Sequence, residues 1–252
     1  PLVTAGSLLI LAYGFITFMH DEKSLLFAIG SIALVISSFL WWRDVVSEAE
    51  GGKFHNKVVV IVIRYGMILF IASEVMFFAA WFWAFFDVAF YPGGDNSQEL
   101  IGRQEALGGV FPPEEIELIP PFGIPLLNTF ILLASGGTVT WAHHALREND
   151  RKNFLIFIFL TIVLGVVFTG FQGYEYLHAT FSIDEGIYPS TFYMATGFHG
   201  AHVIIGTIFL IVCFFRGLRG HFKPEKHLGF EFAAWYWHVV DVVWLFLFTF
   251  VY

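Results

Sequence analysis

The sequence predicts an all-α, polytopic membrane protein with seven transmembrane helices. Of its 252 residues, 57% are hydrophobic and only 13% are charged, whereas soluble domains carry about 25% charged residues. The apolar residues also fall in seven continuous runs and do not alternate with polar ones. Because hydrocarbon offers the backbone no hydrogen-bond partner, runs of this kind must be helices.

Each apolar run can cross a hydrocarbon core of about 30 Å at about 1.5 Å per residue. The first two runs are short for this task, and the third is long enough to tilt. The predicted spans are residues 2–19, 24–42, 58–86, 125–146, 154–177, 189–215 and 230–252.

Positive charge predicts which side of the membrane each connection faces. Only Lys23 and Arg103 fall on one side, and the other eleven lysines and arginines fall on the opposite side. Basic residues accumulate on the cytoplasmic side or its organellar equivalent, so the N-terminus is predicted inside and the C-terminus outside. The eleven are Arg43, Lys53, Lys57, Arg64, Arg147, Arg151, Lys152, Arg216, Arg219, Lys223 and Lys226.

Connection lengths predict how the helices group. We expect a two-helix N-terminal bundle at residues 1–42, a cytoplasmic connection at 43–57 and a five-helix bundle at 58–252. The outer connection at 87–123 is acidic and rich in proline, which predicts a stiff surface loop. It is interpreted either as a plain connection or as a docking surface for a basic partner or a neighbouring subunit.

Charge, cysteine content and motifs exclude several classes of function. A net charge of −8 without a basic face argues against a nucleic-acid partner. Cys213 is the only cysteine, so neither an intrachain disulfide nor a cysteine metal site can form. P-loop, nucleophile-elbow and zinc-protease motifs are absent. The chain begins at Pro1 inside an apolar stretch with no signal peptide, and we expect that an N-terminal segment is missing or was removed.

One carboxylate lies near the middle of the third predicted span. Glu74 has apolar neighbours in the sequence, and a charge near the bilayer centre is costly unless it finds a partner. It is therefore a candidate for a proton-linked role. The alternative is a protonated or hydrogen-bonded residue that serves only in packing.

Histidines and an aspartate share helix faces in the last two spans. His199 and His202 are three residues apart, as are His238 and Asp241, so each pair lies on one face. A haem or copper site is one interpretation, because neutral imidazole is the commonest metal ligand. No third ligand has an obvious position, so we favour a structural polar network and predict no metal in this chain.

Basic and aromatic residues gather at the predicted inner boundary of the membrane. At the depth of the lipid headgroups their cations can bind phosphate, which makes them candidate lipid-binding residues. Positive-inside orientation explains the same charges without a bound lipid. The candidates are Trp42, Arg43, His55, Arg64 and Arg216.

Several segments resemble cytochrome c oxidase subunit III. They are long, ungapped and chemically unusual, and the match extends through every predicted span except the first. The segments are WWRD at 41–44, RYGMILF at 64–70, SE at 73–74, LLNT at 126–129, TWAHH at 140–144, YMATGFHGAHVIIG at 193–206 and AAWYWHVVDVVW at 233–244.

The resemblance implies a V-shaped subunit in which two leading helices and five following ones flank a cleft that holds phospholipids. It also implies that haem a, haem a3 and the copper centres lie in subunits I and II, so His199, His202 and His238 are structural. Glu74 matches the family's buried carboxylate, and Arg64 and Arg216 match its candidate contacts with lipid headgroups.

The implied function is indirect. Beside subunit I, such a subunit supports proton uptake and protects the active site from turnover-linked inactivation, while the complex passes electrons from cytochrome c to oxygen and pumps protons. The chain is then a non-catalytic subunit of an enzyme in a bacterial plasma membrane or mitochondrial inner membrane. A respiratory supercomplex is a further candidate partner, although the acidic loop at 87–123 matches the family poorly.

Two alternatives stay open. Subunit III of a quinol oxidase is related but usually has five helices, so the two leading spans favour the cytochrome c enzyme. A free-standing proton or ion transporter would use Glu74 together with His238 and Asp241.

Overall fold

The computed structural model describes residues 1–51, 56–93, 98–114 and 116–252. Seven of the helices in these residues are long and apolar enough to cross a membrane, and the short α4 is not among them. The prediction of an all-α integral membrane protein with seven spans is confirmed. The helices are α1 (Leu2–Asp21), α2 (Leu25–Gly51), α3 (Lys57–Phe90), α4 (Gln98–Leu107), α5 (Ile124–Arg147), α6 (Arg151–His178), α7 (Ile187–Leu218) and α8 (Leu228–Phe250).

Several helices continue beyond the apolar runs that predict them. The second run ends at Trp42, but α2 continues to Gly51, and α3 extends past Phe86 to Phe90. Polar residues such as Glu48 are good helix formers, so backbone hydrogen bonding does not stop where the side chains become polar. The apolar run therefore marks the part of a helix that suits lipid, and the helix itself is longer.

The outer connection at 87–123 contains the ten-residue helix α4. Arg103 on this helix pairs with Asp87 near the end of α3, with 2.6 Å between Nη2 and Oδ2. Its Nη1 also lies 3.4 Å from the carbonyl oxygen of Tyr91. The C-terminal end of a helix favours a cation, so Arg103 holds α4 against α3. Asp95 and Glu115 lie outside the described residues, and the acidic docking surface stays a prediction.

Local signals determine where several helices begin and end. The Asp150 side chain accepts the backbone N–H of Asn153 at 3.1 Å and so caps the start of α6. This hydrogen bond holds the pKa of the Asp150 carboxyl below its ordinary value. The chain enters α7 through Gly186, whose φ of 128° suits a residue without a Cβ.

The chain divides into two compact units, Pro1–Arg64 and Tyr65–Tyr252, and the boundary falls inside α3. In the first unit, α1 and α2 pack closely through glycines. A Cβ at Gly14 would lie 2.5 Å from the backbone nitrogen of Phe27, and one at Gly30 would lie 2.6 Å from the backbone of Leu11. Small residues permit this close approach of two backbones in lipid. The two-plus-five, V-shaped arrangement stays a prediction.

The second unit packs around the indole ring of Trp237 on α8. This residue is 0% exposed, and its Nε1 donates a 2.9 Å hydrogen bond to Oγ of Ser135 on α5. Gly165 on α6 and Gly206 on α7 leave room for the ring: added Cβ atoms would lie 2.6 Å and 2.9 Å from it. Four helices therefore meet at one side chain, as expected in a densely packed interior.

Helix α3 contacts the rest of the second unit through aromatic side chains. The rings of Phe77 and Phe198 on α7 meet edge to face at 5.0 Å, and Phe86 meets Phe250 on α8 at 5.5 Å. Backbones of α5 to α8 approach one another within 8 Å, whereas the described part of α3 packs at greater distance. Large rings fill that wider space.

Gly165→Ala is expected to destabilise the second unit. The new methyl group would lie 2.6 Å from Cη2 of Trp237 and 2.8 Å from Oγ1 of Thr207. Overpacking of this kind costs about 1–3 kcal/mol, so thermal unfolding in detergent should occur at lower temperature. Gly170→Ala on the same helix is the control, because its Cβ would have no neighbour within 4 Å. Equal unfolding temperatures for the two variants would contradict the packing described here.

Candidate functional site

The structure gives Glu74 a partner on another helix. Oε2 of Glu74 on α3 lies 2.8 Å from Nε2 of His202 on α7. The side chains are only 21% and 14% exposed, respectively. A short contact between a carboxyl group and an imidazole, largely removed from solvent, satisfies the requirement that an ionisable group in lipid be paired.

One hydrogen lies between Glu74 and His202. Nδ1 of His202 lies 2.7 Å from the carbonyl oxygen of Phe198, and a carbonyl can only accept, so Nδ1 carries a hydrogen. The 2.8 Å contact then holds one proton, either on Oε2 of Glu74 or on Nε2 of His202. Both forms have zero net charge, because the first is two neutral groups and the second is an ion pair. The proton can therefore shift between the two atoms without changing the charge buried in the membrane.

Aromatic rings enclose the pair. The His202 ring lies 4.9 Å from Phe78 and 5.8 Å from Phe77 on α3. On α8, Tyr236 stacks on the same imidazole at 6.3 Å. Such surroundings lower the local dielectric and so strengthen the hydrogen bond between Glu74 and His202.

His199 has a different environment from His202, although the two share a helix. It is 0% exposed, and its Nε2 donates to the carbonyl oxygen of Val240 on α8 at 3.0 Å. Trp244 and Phe168 lie against its ring at 5.1 Å and 5.7 Å. His199 therefore joins α7 to α8, while His202 joins α7 to α3.

His238 and Asp241 face α5 and contact it separately. Thr140 donates its hydroxyl hydrogen to the carbonyl of Gly136 at 2.9 Å, so its oxygen accepts from Nε2 of His238 at 3.1 Å. Oδ2 of Asp241 would lie 2.6 Å from a Cβ at Gly136. No hydrogen bond joins His238 to Asp241 within the described ranges, although their spacing would permit one. That the four residues His199, His202, His238 and Asp241 act as one network stays a prediction.

Sequence reasoning missed a buried polar cluster near the C-terminal end of α6. The hydroxyl of Tyr252 donates to Oε1 of Glu175 at 2.5 Å, and Nε2 of Gln172 donates to the same oxygen at 3.1 Å. Gln172 and Glu175 are each 5% exposed. A position near a helix end is typical of residues at the membrane interface, and only packing shows that these two face inward.

The candidate lipid-binding residues fall in both units. In the first unit, Trp42 is 65% exposed, Arg43 pairs with Asp44 at 3.3 Å, and Arg64 is exposed. In the second unit, Arg216 is half-buried with its guanidinium 4.6 Å above the ring of Phe222. His55 lies outside the described residues. Lipid binding by these residues stays a prediction.

A metal site is one interpretation of the histidines on α7 and α8. In the part of the chain that the structure describes, no three His, Cys, Asp or Glu side chains are grouped as metal ligands. The Nε2 atoms of His199, His202 and His238 all contact protein atoms, as described above.

A family model and individual relatives all match this chain to the same protein family. The family model described as cytochrome c oxidase subunit III matches residues 1–252. The "Probable cytochrome c oxidase subunit 3" of Rickettsia bellii is 53% identical over all of this chain and 91% of the relative. Proteins named "Cytochrome c oxidase subunit 3" from Prototheca wickerhamii and Equus asinus are 50% and 49% identical over all of this chain and 93% and 92% of their own lengths. This seven-span membrane protein therefore belongs to the cytochrome c oxidase subunit III family.

Proposed function

We propose that this chain is a non-catalytic, accessory subunit of a cytochrome c oxidase that passes electrons to oxygen and pumps protons. The observation that carries the proposal is the match of all 252 residues to the subunit III family. Haem a, haem a3 and the copper centres are then held by subunits I and II, with which this chain assembles. The hydrogen bonds of His199 and His238 to neighbouring helices support a structural role for these two residues.

Glu74 and His202 are proposed to assist proton uptake by the catalytic subunit. Their contact holds one proton between two atoms 2.8 Å apart. If a proton enters the pair as another leaves it, the pair stays neutral throughout, so such a relay avoids the cost of a net charge in lipid. This property distinguishes the pair from a residue that serves only in packing.

Glu74→Gln tests this role in the assembled oxidase. Glutamine keeps the size of the side chain but cannot ionise, so the relay is lost while packing is retained. We expect a near-normal initial rate of steady-state oxygen reduction, slower proton uptake within a single turnover and severalfold faster loss of activity during prolonged turnover. Stopped-flow measurement with a pH indicator and a prolonged oxygen-electrode assay would record these changes.

The matched control is Ser73→Ala, the neighbouring position, whose hydroxyl donates to the carbonyl of Phe70 in its own helix at 2.6 Å. This variant is expected to behave like the wild type. If Glu74→Gln also matched the wild type in proton uptake and in lifetime, the proton-linked role would be refuted. The subunit assignment would then stand on its family match alone.

Phospholipid binding is proposed for Trp42, Arg43, His55, Arg64 and Arg216. Arg216 is the residue to test, because its guanidinium is already oriented on Phe222. A basic residue near the headgroups contributes about 1 kcal/mol, or about fivefold in affinity. Native mass spectrometry of the Arg216→Gln complex should therefore find fewer retained anionic lipids. Lys23→Gln, an exposed lysine on the predicted opposite side, should retain them all; equal lipid content in the two variants would overturn the assignment.

The two alternative functions, a quinol oxidase subunit III and a free-standing transporter, predict different observations. A quinol oxidase subunit III usually lacks two leading helices, and α1 and α2 are present here. A free-standing transporter would give proton or ion flux when the purified chain is reconstituted alone, and Glu74→Gln would abolish that flux. We expect the isolated chain to be silent.

The proposed location is a bacterial plasma membrane or a mitochondrial inner membrane, with the N-terminus inside and the C-terminus outside. The relatives from Rickettsia and Equus support either membrane. The distribution of basic residues supports the orientation. Cleavage of the 87–123 connection by a protease confined to the outer side of sealed vesicles would check it.

A further inference from the structure

Two histidine rings meet where α5 ends and the chain enters α8. Nε2 of His143, one turn before the end of α5, lies 3.2 Å from Nε2 of His227, the residue that precedes α8. The ring centroids are 5.2 Å apart and the rings are inclined at 70°. Both residues are partly exposed.

The hydrogen bonds of His227 determine which of its nitrogens is free to bind. Its Nδ1 lies 3.1 Å from the carbonyl oxygen of Lys223. Since a carbonyl only accepts, Nδ1 carries the hydrogen and the lone pair of Nε2 points toward His143. A backbone carbonyl on the far nitrogen is also how proteins usually orient a metal-binding histidine.

The separation of the two nitrogens suits a shared metal ion. Two imidazole nitrogens bound to one tetrahedral Zn²⁺ at about 2.0–2.1 Å lie about 3.3 Å apart. We propose that His143 and His227 form a binding site for a divalent cation of the zinc, nickel and copper class. Imidazole is a preferred ligand of these ions, whereas Mg²⁺ and Ca²⁺ select oxygen ligands.

Binding requires only a small rearrangement. In the neutral pair, Nε2 of His143 donates its hydrogen to Nε2 of His227. When the cation exchanges two of its waters for the two nitrogens, the hydrogen of His143 moves to Nδ1. No hydrogen bond to the described protein occupies that atom, so water can solvate it. A pair that carries an extra proton releases it to solvent on binding.

Of the charged groups near the two histidines, one favours a bound cation and one opposes it. Glu231 lies one turn after His227 on α8 and interacts electrostatically with His143, which favours a cation. Arg147, one turn after His143 on α5, opposes it.

Because the described residues contain no group of three ligands, the remaining positions on the ion belong to water and the ion is exchangeable. The site shares no residue with the Glu74–His202 pair and does not depend on that pair's proposed role.

Isothermal titration of Zn²⁺ into the purified, assembled oxidase tests the site. The wild-type complex should bind one more equivalent than the His143→Gln and His227→Gln complexes. His144→Gln is the matched control, because this neighbouring histidine is exposed on α5 and its ring lies against Trp141; it should retain the equivalent. The proposal is overturned if both site variants bind as much Zn²⁺ as the wild type.

A second measurement needs only the wild-type complex, in case a variant does not assemble. Diethyl pyrocarbonate modifies accessible imidazole nitrogens, and peptide mass spectrometry locates each modified residue. Saturating Zn²⁺ should protect His143 and His227 severalfold, while His144 is modified equally with and without the ion. Unchanged modification of His143 and His227 would rule the site out.

Discussion

Hydrocarbon cannot form hydrogen bonds, so a polar side chain that a helix carries into the membrane needs a partner within the protein. In the second unit this constraint determines which helices meet. Glu74 pairs with His202, and Trp244 donates to Thr129 at 2.9 Å. Thr138 and Thr161 join α5 and α6 with 2.8 Å between their hydroxyl oxygens. Each such bond both satisfies a polar group and fixes the height of one helix against another.

Packing between these bonds follows two patterns. Where helices approach closely, glycine removes side-chain volume, as Gly165 and Gly206 do beside Trp237 and as Gly14 does in the first unit. Where α3 lies farther away, rings such as Phe77 and Phe86 fill the space. Lipid tails are as apolar as these side chains, so shape complementarity replaces the hydrophobic effect as the source of stability between helices.

Two side-chain contacts of this chain, Glu74 with His202 and His143 with His227, each hold a hydrogen between two atoms. Glu74 and His202 exchange one proton without a change in net charge, which suits a position in lipid. His143 and His227 also share one hydrogen between two nitrogens, but at a helix end where both residues are partly exposed. As proposed, the same side-chain type therefore serves proton handling at one depth and cation binding at another. Burial and neighbouring charges make the difference.

The sequence by itself determined the seven spans and their approximate positions, because hydropathy is a local property that each helix expresses alone. It also identified Glu74 as a residue in need of a partner, and the family motifs identified the relatives. Only the tertiary structure decided that His202 is that partner, that His199 binds Val240 and that His238 binds Thr140. It also revealed α4, the inward-facing Glu175 and the meeting of His143 with His227. These contacts depend on the rotation and register of helices that are distant in sequence. The close packing of glycines and aromatic rings determines that rotation and register, and no local sequence pattern specifies them.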